Sequence, residues 1–380
     1  MGAAGDRPFR ANNGKTPNPT RFGPYNPCLE IGFVDFVRFA FQRTMTLEPI
    51  DPETALELYL DQKETEVSVA TLRSHRSRLG HFVRWCDDRE LTNLNELTGR
   101  KIHEYRLWRR NEGELSKVSL KTQMDTLRVF VRWLGTIDAV DPDLHVKVQS
   151  PNLRPGDNVR EVMLDSEDAE AALDYLERYE YASLPHVTMA LLWHTMMRMG
   201  AAHALDIGDY SPEDQCVSVV HRPDEGTPIK NGTRGERLVG LSGELCLLLD
   251  DWLRDRRPDV TDDYGREPLL ATSQGRASKS AIRTYSYRYT QPCAYGDECP
   301  HGREPDDCEA TRSDHVSKCP SSISPHAIRR GSITHHLTSD VPETAVSDRA
   351  NVSTKVIEKH YDQRTKKEKM EQRRQYLKNI

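Results

Sequence analysis

Side chains able to act on a phosphate are concentrated between Ser324 and Arg364. His326 and Arg329 are three residues apart and share one face of a predicted helix. Together they can hold two oxygens of a phosphate, the arginine as a planar bidentate donor. Tyr361, farther along the chain, carries a hydroxyl that could attack the same phosphorus atom. The segment therefore predicts phosphoryl-transfer chemistry, with the surrounding elements left to identify the substrate.

Length and charge limit the class of protein. The chain has 380 residues, 36% of them hydrophobic and 29% charged, with a net charge of −6. This length allows two domains, each with its own core. No apolar run approaches the ~20 residues of a membrane helix, and no apolar signal segment opens the sequence. We therefore expect a cytoplasmic, nucleoid-associated protein with no membrane partner.

The charges are segregated along the chain. Residues 98–134 carry nine bases and four acids, whereas residues 161–180 carry eight acids and one base. The net negative charge argues mildly against nucleic acid, but a local basic face can bind phosphates even on an acidic protein. The two segments also fall on either side of a predicted domain boundary.

A first domain is predicted at residues 51–140, after a flexible arm at 1–50. Four amphipathic helices follow one another to about Leu134, the fourth beginning near Ser119. Basic side chains lie beside the apolar stripes of the second and fourth helices: Arg73, Arg76, Lys117, Lys121, Arg128 and Arg132. They form either a solvated face or a surface that grips a nucleic-acid backbone. The His-x-x-Arg spacing also recurs here, at His75/Arg78, His81/Arg84 and His103/Arg106.

A second domain is predicted at residues 161–380, after a linker at 141–160 that is rich in proline. A nearly all-apolar helix from Leu184 to Met199 closes on Arg198, which needs a partner if it is buried. That partner is either a carboxylate or helix end, or a substrate phosphate. Short strands at Cys216–Val220, Thr227–Lys230 and Arg237–Leu241 then place Lys230 at or near a hairpin tip.

Three pieces of the second domain line up in order. They are Met197-Arg198-Met199-Gly200-Ala201, then Lys230 ahead of Arg237-Leu238-Val239-Gly240-Leu241, then His326-x-x-Arg329 with Tyr361. This order resembles the tyrosine recombinase (phage integrase) family over roughly residues 51–365, and its haloarchaeal, XerC/D-like branch in particular. The resemblance implies a mainly α (α+β) fold. It comprises a SAM-like four-helix core-binding domain and a mixed α/β catalytic domain with a small three-stranded sheet.

The resemblance also implies a reaction. Arg198 and Arg329 would clamp the scissile phosphate of double-stranded DNA, and Tyr361 would attack it to form a 3′-phosphotyrosine. Lys230 would protonate the leaving 5′-oxygen, and His326 would donate to the phosphate or assist proton transfer. Because the phosphotyrosine retains the bond energy, no catalytic cofactor is expected. The protein would act as a homo-oligomer, from dimer to tetramer on DNA, in site-specific recombination or integration.

Several positions depart from the family pattern. Ala201 stands where the family usually has Glu or Asp, and Val352 stands nine residues before the tyrosine, where His or Trp is usual. Asn351 is therefore the candidate for this sixth catalytic position. Lys230 precedes Arg237 by seven residues instead of five, which predicts a longer hairpin. The departures leave two alternatives open: a catalytically inactive DNA-binding regulator, or a relaxing enzyme of the type IB topoisomerase kind.

A cysteine-rich insertion is predicted at residues 291–320. It contains Cys293, Cys299, Cys308 and Cys319, with His301 and His315 among them. Thiolates and imidazoles in a polar loop suit a tetrahedral structural zinc, with the histidines as alternate ligands. The competing interpretation is a loop of unbonded thiols, since no Cys-x-x-Cys pair is present.

The tail at residues 362–380 carries seven bases and three acids. It is interpreted either as a solvated terminal helix or, by the resemblance, as a segment that docks on a neighbouring protomer. Tyr376 lies too far into this tail to be preferred over Tyr361 as the nucleophile.

Overall fold

The computed structural model describes residues 46–154, 156–157, 162–296, 298–362 and 364–374. The first 45 residues of the predicted arm lie outside this range. The chain divides into two compact units between Ser150 and Pro151, a position inside the predicted linker at 141–160.

The first unit contains four helices, α1 (Pro52–Glu64), α2 (Val69–Asp88), α3 (Gly99–Glu112) and α4 (Lys117–Thr136). Each begins where a side chain accepts backbone N–H groups that have no partner inside the helix, supplied by Asp51, Ser68, Thr98 and Ser116. The predicted four-helix domain is confirmed. Its last helix begins at Lys117, two residues earlier than expected, because Ser116 provides the cap.

Aromatic side chains fill the core of the first unit. Tyr59, Phe82, Trp85, Tyr105 and Phe130 are almost fully buried and pack mainly edge to face. Such contacts add to the free energy gained by burying the rings. The basic residues of α2 and α4 are therefore carried on helices that pack against this core.

The second unit is built mainly of helices. Their bounds are α5 (Ser166–Tyr179), α6 (Leu184–Thr195), α7 (Met199–Ala204), α8 (Gly243–Asp251), α9 (Lys279–Arg288), α10 (Pro325–Thr338), α11 (Glu343–Ala350), α12 (Thr354–His360) and α13 (Lys366–Arg374). α6 lies at the centre, with nearly every side chain buried between α5, α9 and α10. The mixed, mainly α class predicted for this domain is confirmed.

The sheet differs in detail from the prediction. Strands β1 (Tyr210–Ser211), β2 (Cys216–Val219) and β3 (Arg237–Gly240) form an antiparallel three-stranded sheet in that order. The expected strand at Thr227–Lys230 was wrong: only an isolated bridge from Arg222 to Thr227 is present, and the chain then turns. A second small sheet pairs β4 (Ala271–Thr272) with β5 (Gly275–Arg276), which sequence periodicity did not indicate because two-residue strands carry no period.

Candidate active site

The predicted His-x-x-Arg pair lies on the first turns of α10. Ser324 caps this helix through its side chain and Pro325 occupies the first turn, so the start of the helix is fixed locally. His326 is exposed, whereas Arg329 is only 1% exposed. The Arg329 guanidinium donates to the backbone carbonyls of Met196 and Ala350. Of the two residues in the motif, His326 is therefore exposed to solvent and Arg329 is buried.

Arg198 lies between α6 and α7, and not inside a single long helix as predicted. α6 ends at Thr195 because Met196 adopts a left-handed conformation, with φ 54° and ψ 16°. Arg198 then has an extended backbone and immediately precedes α7. Its Nη1 donates to the backbone carbonyl of Asn351 at 3.1 Å. Arg198 is half-buried, and its predicted partner is thus the end of a helix, α11.

A third arginine, Arg237, joins the same helix end. It begins β3, and its Nε donates to the backbone carbonyl of Arg349 at 2.9 Å. Arg237, Arg329 and Arg198 therefore bind the successive carbonyls of residues 349, 350 and 351, where α11 ends. These carbonyls carry the negative end of the helix dipole and suit cations. In the sequence Arg237 only marks the strand that follows Lys230, because a position at the start of a strand gives no signal of this contact.

The three guanidinium groups affect one another. Burial, with Arg198 and Arg237 nearby, lowers the pKa of Arg329 to about 10. Burial, with Arg198 and Arg349 nearby, lowers the pKa of Arg237 to about 10. Among the described residues no carboxylate forms an ion pair with Arg198, Arg237 or Arg329, and Arg329 Nε and Arg237 Nη2 lack a hydrogen-bond partner. A buried group of cations without a counter-ion favours an anionic ligand such as a phosphate.

Tyr361 lies at the end of α12, beside these arginines. Its ring is edge to face with that of His326, and the hydroxyl of Thr334 donates to its backbone carbonyl at 2.8 Å. Burial lowers the pKa of Arg198, and the nearby Tyr361 hydroxyl opposes that effect. The side chain is only 6% exposed, packed among apolar residues of α10, α11 and α12. Four predicted residues, Arg198, His326, Arg329 and Tyr361, are thus brought together.

Lys230 is exposed and lies in the connection between β2 and β3. Among the described contacts, none joins Lys230 directly to Arg198, Arg237 or Arg329. The next residue, Asn231, donates from Nδ2 to Oδ1 of Asn351 at 2.7 Å. The loop that carries Lys230 is therefore attached to the end of α11.

The departures from the family pattern are buried and apolar. Ala201 is 5% exposed on α7, and Val352 is 9% exposed in the cluster around Tyr361. Asn351, the candidate for the sixth position, ends α11 in a left-handed conformation. Asn351 contacts Arg198 through its backbone carbonyl and Asn231 through its side chain. No described contact joins it to the Tyr361 hydroxyl.

The basic residues of the first unit are used in different ways. Arg73, Arg76, Lys117 and Arg132 are exposed, and Arg76 forms an ion pair with Glu57. On α4, the basic positions predicted to bind nucleic acid lie within about 60° of one another around the helix axis. Lys121 pairs with Asp125 at 2.6 Å. Arg128 is engaged inside the unit, where it contacts Asp125, the Val148 carbonyl and Ser150.

The four cysteines of the insertion are all at least partly buried. Cys319 is buried and the other three are partly buried: Cys293, Cys299 and Cys308. The residues on both sides of the last three cysteines are exposed. Burial raises the pKa of the Cys293 thiol, and the other three thiols are near enough to add to that effect.

The side chains of the insertion do not form a ligand shell as they stand. Within the described residues, no three His, Cys, Asp or Glu side chains lie in a group that could hold a metal ion. His301 is hydrogen-bonded to Ser321, and His315 lies near the carboxylates of Glu309 and Asp314. Zinc binding by this insertion stays a prediction.

The remaining predicted features concern the ends of the chain. α13 covers nine residues of the basic tail, and Tyr376 lies outside the described residues. None of the described helices has the length and apolar character needed to cross a bilayer.

Comparisons with known proteins bear on the first unit and on the fold. Residues 56–136 match the family model "Phage integrase, N-terminal SAM-like domain". The N-terminal domain of a phage integrase/site-specific recombinase from Haloarcula marismortui is 38% identical over 27% of this chain and 99% of that chain, with a TM-score of 0.27. No curated protein matches the chain.

Solved structures share the fold across both units. The Tn1549 transposon integrase, in complex with a circular intermediate DNA, has a TM-score of 0.59 at 14% identity, over 85% of this chain and 99% of that one. A lambda integrase dimer bound to a core site has a TM-score of 0.55 at 13% identity, over 86% of this chain and 78% of that one. The fold is that of tyrosine recombinases. The chain belongs to the tyrosine recombinase (phage integrase) family.

Proposed function

We propose that this protein is a site-specific DNA recombinase that cleaves and rejoins strands through a 3′-phosphotyrosine. The observation that carries the proposal is the convergence of Arg198 and Arg329 beside Tyr361, from three separate elements. An arrangement of buried guanidinium groups next to a tyrosine hydroxyl suits attack on a phosphodiester. The arginines would hold the two non-bridging oxygens and stabilise the charge that builds on them in the transition state.

The strand-cleavage step needs one bond to form and one to break. The Tyr361 oxygen attacks phosphorus, the bond to the 5′-oxygen breaks, and Lys230 supplies a proton to that leaving oxygen. His326, adjacent to the tyrosine ring, donates to the phosphate or helps to move the phenolic proton. A 5′-hydroxyl from another strand reverses the step, so the energy of the phosphodiester is conserved and strands are exchanged.

Tyr361 has to become accessible before it can react. With 6% of its surface exposed, its ring is held by apolar side chains of α10, α11 and α12. We expect DNA binding to shift α12, a short helix of seven residues. The chemistry is thereby coupled to the presence of the substrate.

Double-stranded DNA and further copies of the chain are the proposed partners. The exposed basic residues of α2 and α4 suit contacts with the DNA backbone, which position a protein without reading sequence. A lambda integrase tetramer has been solved on a Holliday junction, and its fold resembles this one with a TM-score of 0.56. We therefore propose a dimer to tetramer on DNA, located with the nucleoid.

A nicked suicide substrate tests the proposal. Duplex carrying a candidate site from DNA beside the gene is incubated with the wild-type protein, with Tyr361→Phe and with the control Tyr376→Phe over a series of salt concentrations. We expect a covalent 3′ adduct with the wild type and the control, and none with Tyr361→Phe. DNA binding without an adduct at any salt would support the inactive regulator, and supercoil relaxation without exchanged products would support the topoisomerase-like enzyme.

A further inference from the structure

Two asparagine side chains join the β2–β3 connection to the end of α11. Asn231 Nδ2 donates to Asn351 Oδ1 at 2.7 Å, and Asn351 Nδ2 donates to the backbone carbonyl of Arg234 at 2.9 Å. Both contacts lie in the second unit, and we call the pair Asn231–Asn351 the asparagine clasp. It spans residues that are 120 positions apart in the sequence.

Both asparagines have left-handed backbone conformations. Asn231 has φ 75° and ψ 7°, and Asn351 has φ 49° and ψ 60°. Asparagine tolerates this region better than most residues with a Cβ. At Asn351 the conformation ends α11, where the backbone carbonyl accepts from Arg198 at 3.1 Å. One residue therefore binds a phosphate-clamping arginine through its backbone and the β2–β3 connection through its side chain.

The connection held by the clasp is compact around Lys230. Asn231 follows Lys230 directly, and a single 3₁₀ turn covers Gly232–Gly235. A Cβ placed on Gly235 would collide with the backbone carbonyl of Lys230, so the end of this turn lies against the Lys230 backbone. Fixing Asn231 thus fixes the backbone from which the lysine side chain extends.

The side chain of Lys230 is not held by any other contact in the described part of the chain. Lys230 is exposed, and no described hydrogen bond or ion pair involves its ammonium group. A cleft of about 440 Å³ opens beside the clasp, lined by Asn231, Arg237, Asn351 and Asp348 among others. A flexible four-carbon side chain reaches a reacting atom reproducibly only when its backbone is held.

We infer that Asn231 and Asn351 are positioning residues that hold the Lys230 general acid in register with the arginine-bound phosphate. The inference rests on the proposed recombinase function and names residues that act through Lys230. It also explains how a chain without His or Trp nine residues before Tyr361 orders this part of the site.

The test compares two leaving groups. Asn231→Gly and Asn351→Gly remove each side chain but keep the left-handed backbone, which glycine adopts freely. Single-turnover adduct formation is measured at saturating DNA on an ordinary nicked substrate. It is also measured on one in which sulfur replaces the 5′-bridging oxygen, since a thiolate leaves without a general acid.

On the oxygen substrate we expect each glycine variant to slow adduct formation about tenfold, the effect of a modest misplacement of a catalytic group. On the sulfur substrate each variant should lie within about twofold of the wild type, as should Lys230→Ala, because no proton is required there. Arg329→Lys should remain slow on both substrates. Asp255→Asn, which changes an exposed carboxylate that does not line this cleft, should match the wild type on both, and melting temperatures confirm folding.

Equal losses on the two substrates would overturn the inference, because the asparagines would then act on something other than proton donation. Wild-type rates for both glycine variants on oxygen would also overturn it. The absence of any adduct from the wild type on either substrate would instead overturn the proposed recombinase function. The two failures are therefore distinguishable.

Discussion

The ring of His326 lies edge to face with the ring of Tyr361, with centroids 6.5 Å apart and planes at 66°. The candidate proton-transfer residue and the candidate nucleophile therefore meet before DNA is bound. At saturating DNA, we expect His326→Ala to slow adduct formation about 100-fold, within the range for lost general acid–base catalysis. His326→Gln, which keeps a hydrogen-bond donor, should recover part of the rate. His103→Ala, which removes the histidine of another His-x-x-Arg pair, should leave it unchanged; a comparable loss there would remove the case for a specific role.

Arg329 and Arg330 are adjacent, buried and differently used. Arg329 binds the end of α11, whereas Arg330 donates to the Val162 carbonyl at 2.6 Å. We predict that Arg329→Lys slows adduct formation by about 10²–10³, the typical cost of losing a donor to transition-state charge. Arg330→Lys should cost less than about tenfold, since its contact is structural. Rapid-quench measurement of the adduct compares the two, and similar losses would contradict a catalytic role specific to Arg329.

The salt dependence of DNA binding should distinguish the basic residues of the first unit that contact DNA from those that stabilise the unit. Arg73→Gln and Arg132→Gln remove exposed charges. Each should make the fall of log K with log salt less steep, reducing the magnitude of the slope by about one. Arg128→Gln should leave the slope nearly unchanged and instead lower the melting temperature, because the guanidinium is engaged by Asp125, Val148 and Ser150. Fluorescence anisotropy from low to high salt gives the slopes, and an unchanged slope for Arg73→Gln and Arg132→Gln would locate DNA elsewhere.

A buried ionic network supports the small sheets of the second unit. Burial alone would raise the pKa of Asp262, but hydrogen bonds from Arg276 and from the backbone of Arg266 and Tyr264 outweigh it and hold the pKa at about 2. The pKa of this carboxyl is thus lower in the folded state than in the unfolded state. Its stabilising effect is complete above about pH 4 and is lost as the pH falls towards 2.

We therefore expect Asp262→Asn to reduce the free energy of unfolding by about 2 kcal/mol at neutral pH. The difference from the wild type should shrink between pH 4 and pH 2. Urea unfolding at several pH values measures both quantities. Asp255→Asn, which changes an exposed carboxyl paired with Arg254, is the matched control and should cost little at any pH. A constant difference across the pH range would contradict the assignment.

The cysteine-rich insertion gives a prediction about metal content. Its buried apolar content is small, with Ala310, Val316 and Cys319 the buried residues described between positions 292 and 320. A segment with so little core gains most from a bound ion. We expect one zinc per chain by elemental analysis, lost in Cys308→Ser but retained in the control Cys216→Ser. Four freely reactive thiols and no zinc in the wild type would instead establish the unbonded loop.

Sequence periodicity predicted the helical elements because their apolar stripes and caps are local properties. The first unit shows this most clearly, where Ser68, Ser116 and the stripes they precede define α2 and α4. The break at Met196 was not predictable, because a left-handed methionine after an apolar helix has no local signature. After this break Arg198 lies outside α6 and donates to the backbone carbonyl of Asn351, a contact between residues far apart in the chain.

The grouping of catalytic candidates could be expected only through the order of motifs. Arg237 was missed because its role depends on a carbonyl of α11, and backbone acceptors leave no trace in a sequence. The sheet was misassigned around Thr227 for a related reason. Residues 210 and 211 pair with β2 across a short turn, and two residues are too few to show alternation.

Successive carbonyls at the end of α11 accept hydrogen bonds from Arg237, Arg329 and Arg198 in turn. The length of α11 therefore sets the spacing of the three arginines. Each residue added or removed turns a helix by about 100° and shifts it by about 1.5 Å. A single insertion or deletion between Glu343 and Ala350 would therefore present the wrong carbonyls to all three arginines at once, even if every catalytic side chain were kept. Among natural variants of this chain, the length of α11 should be more constant than its composition.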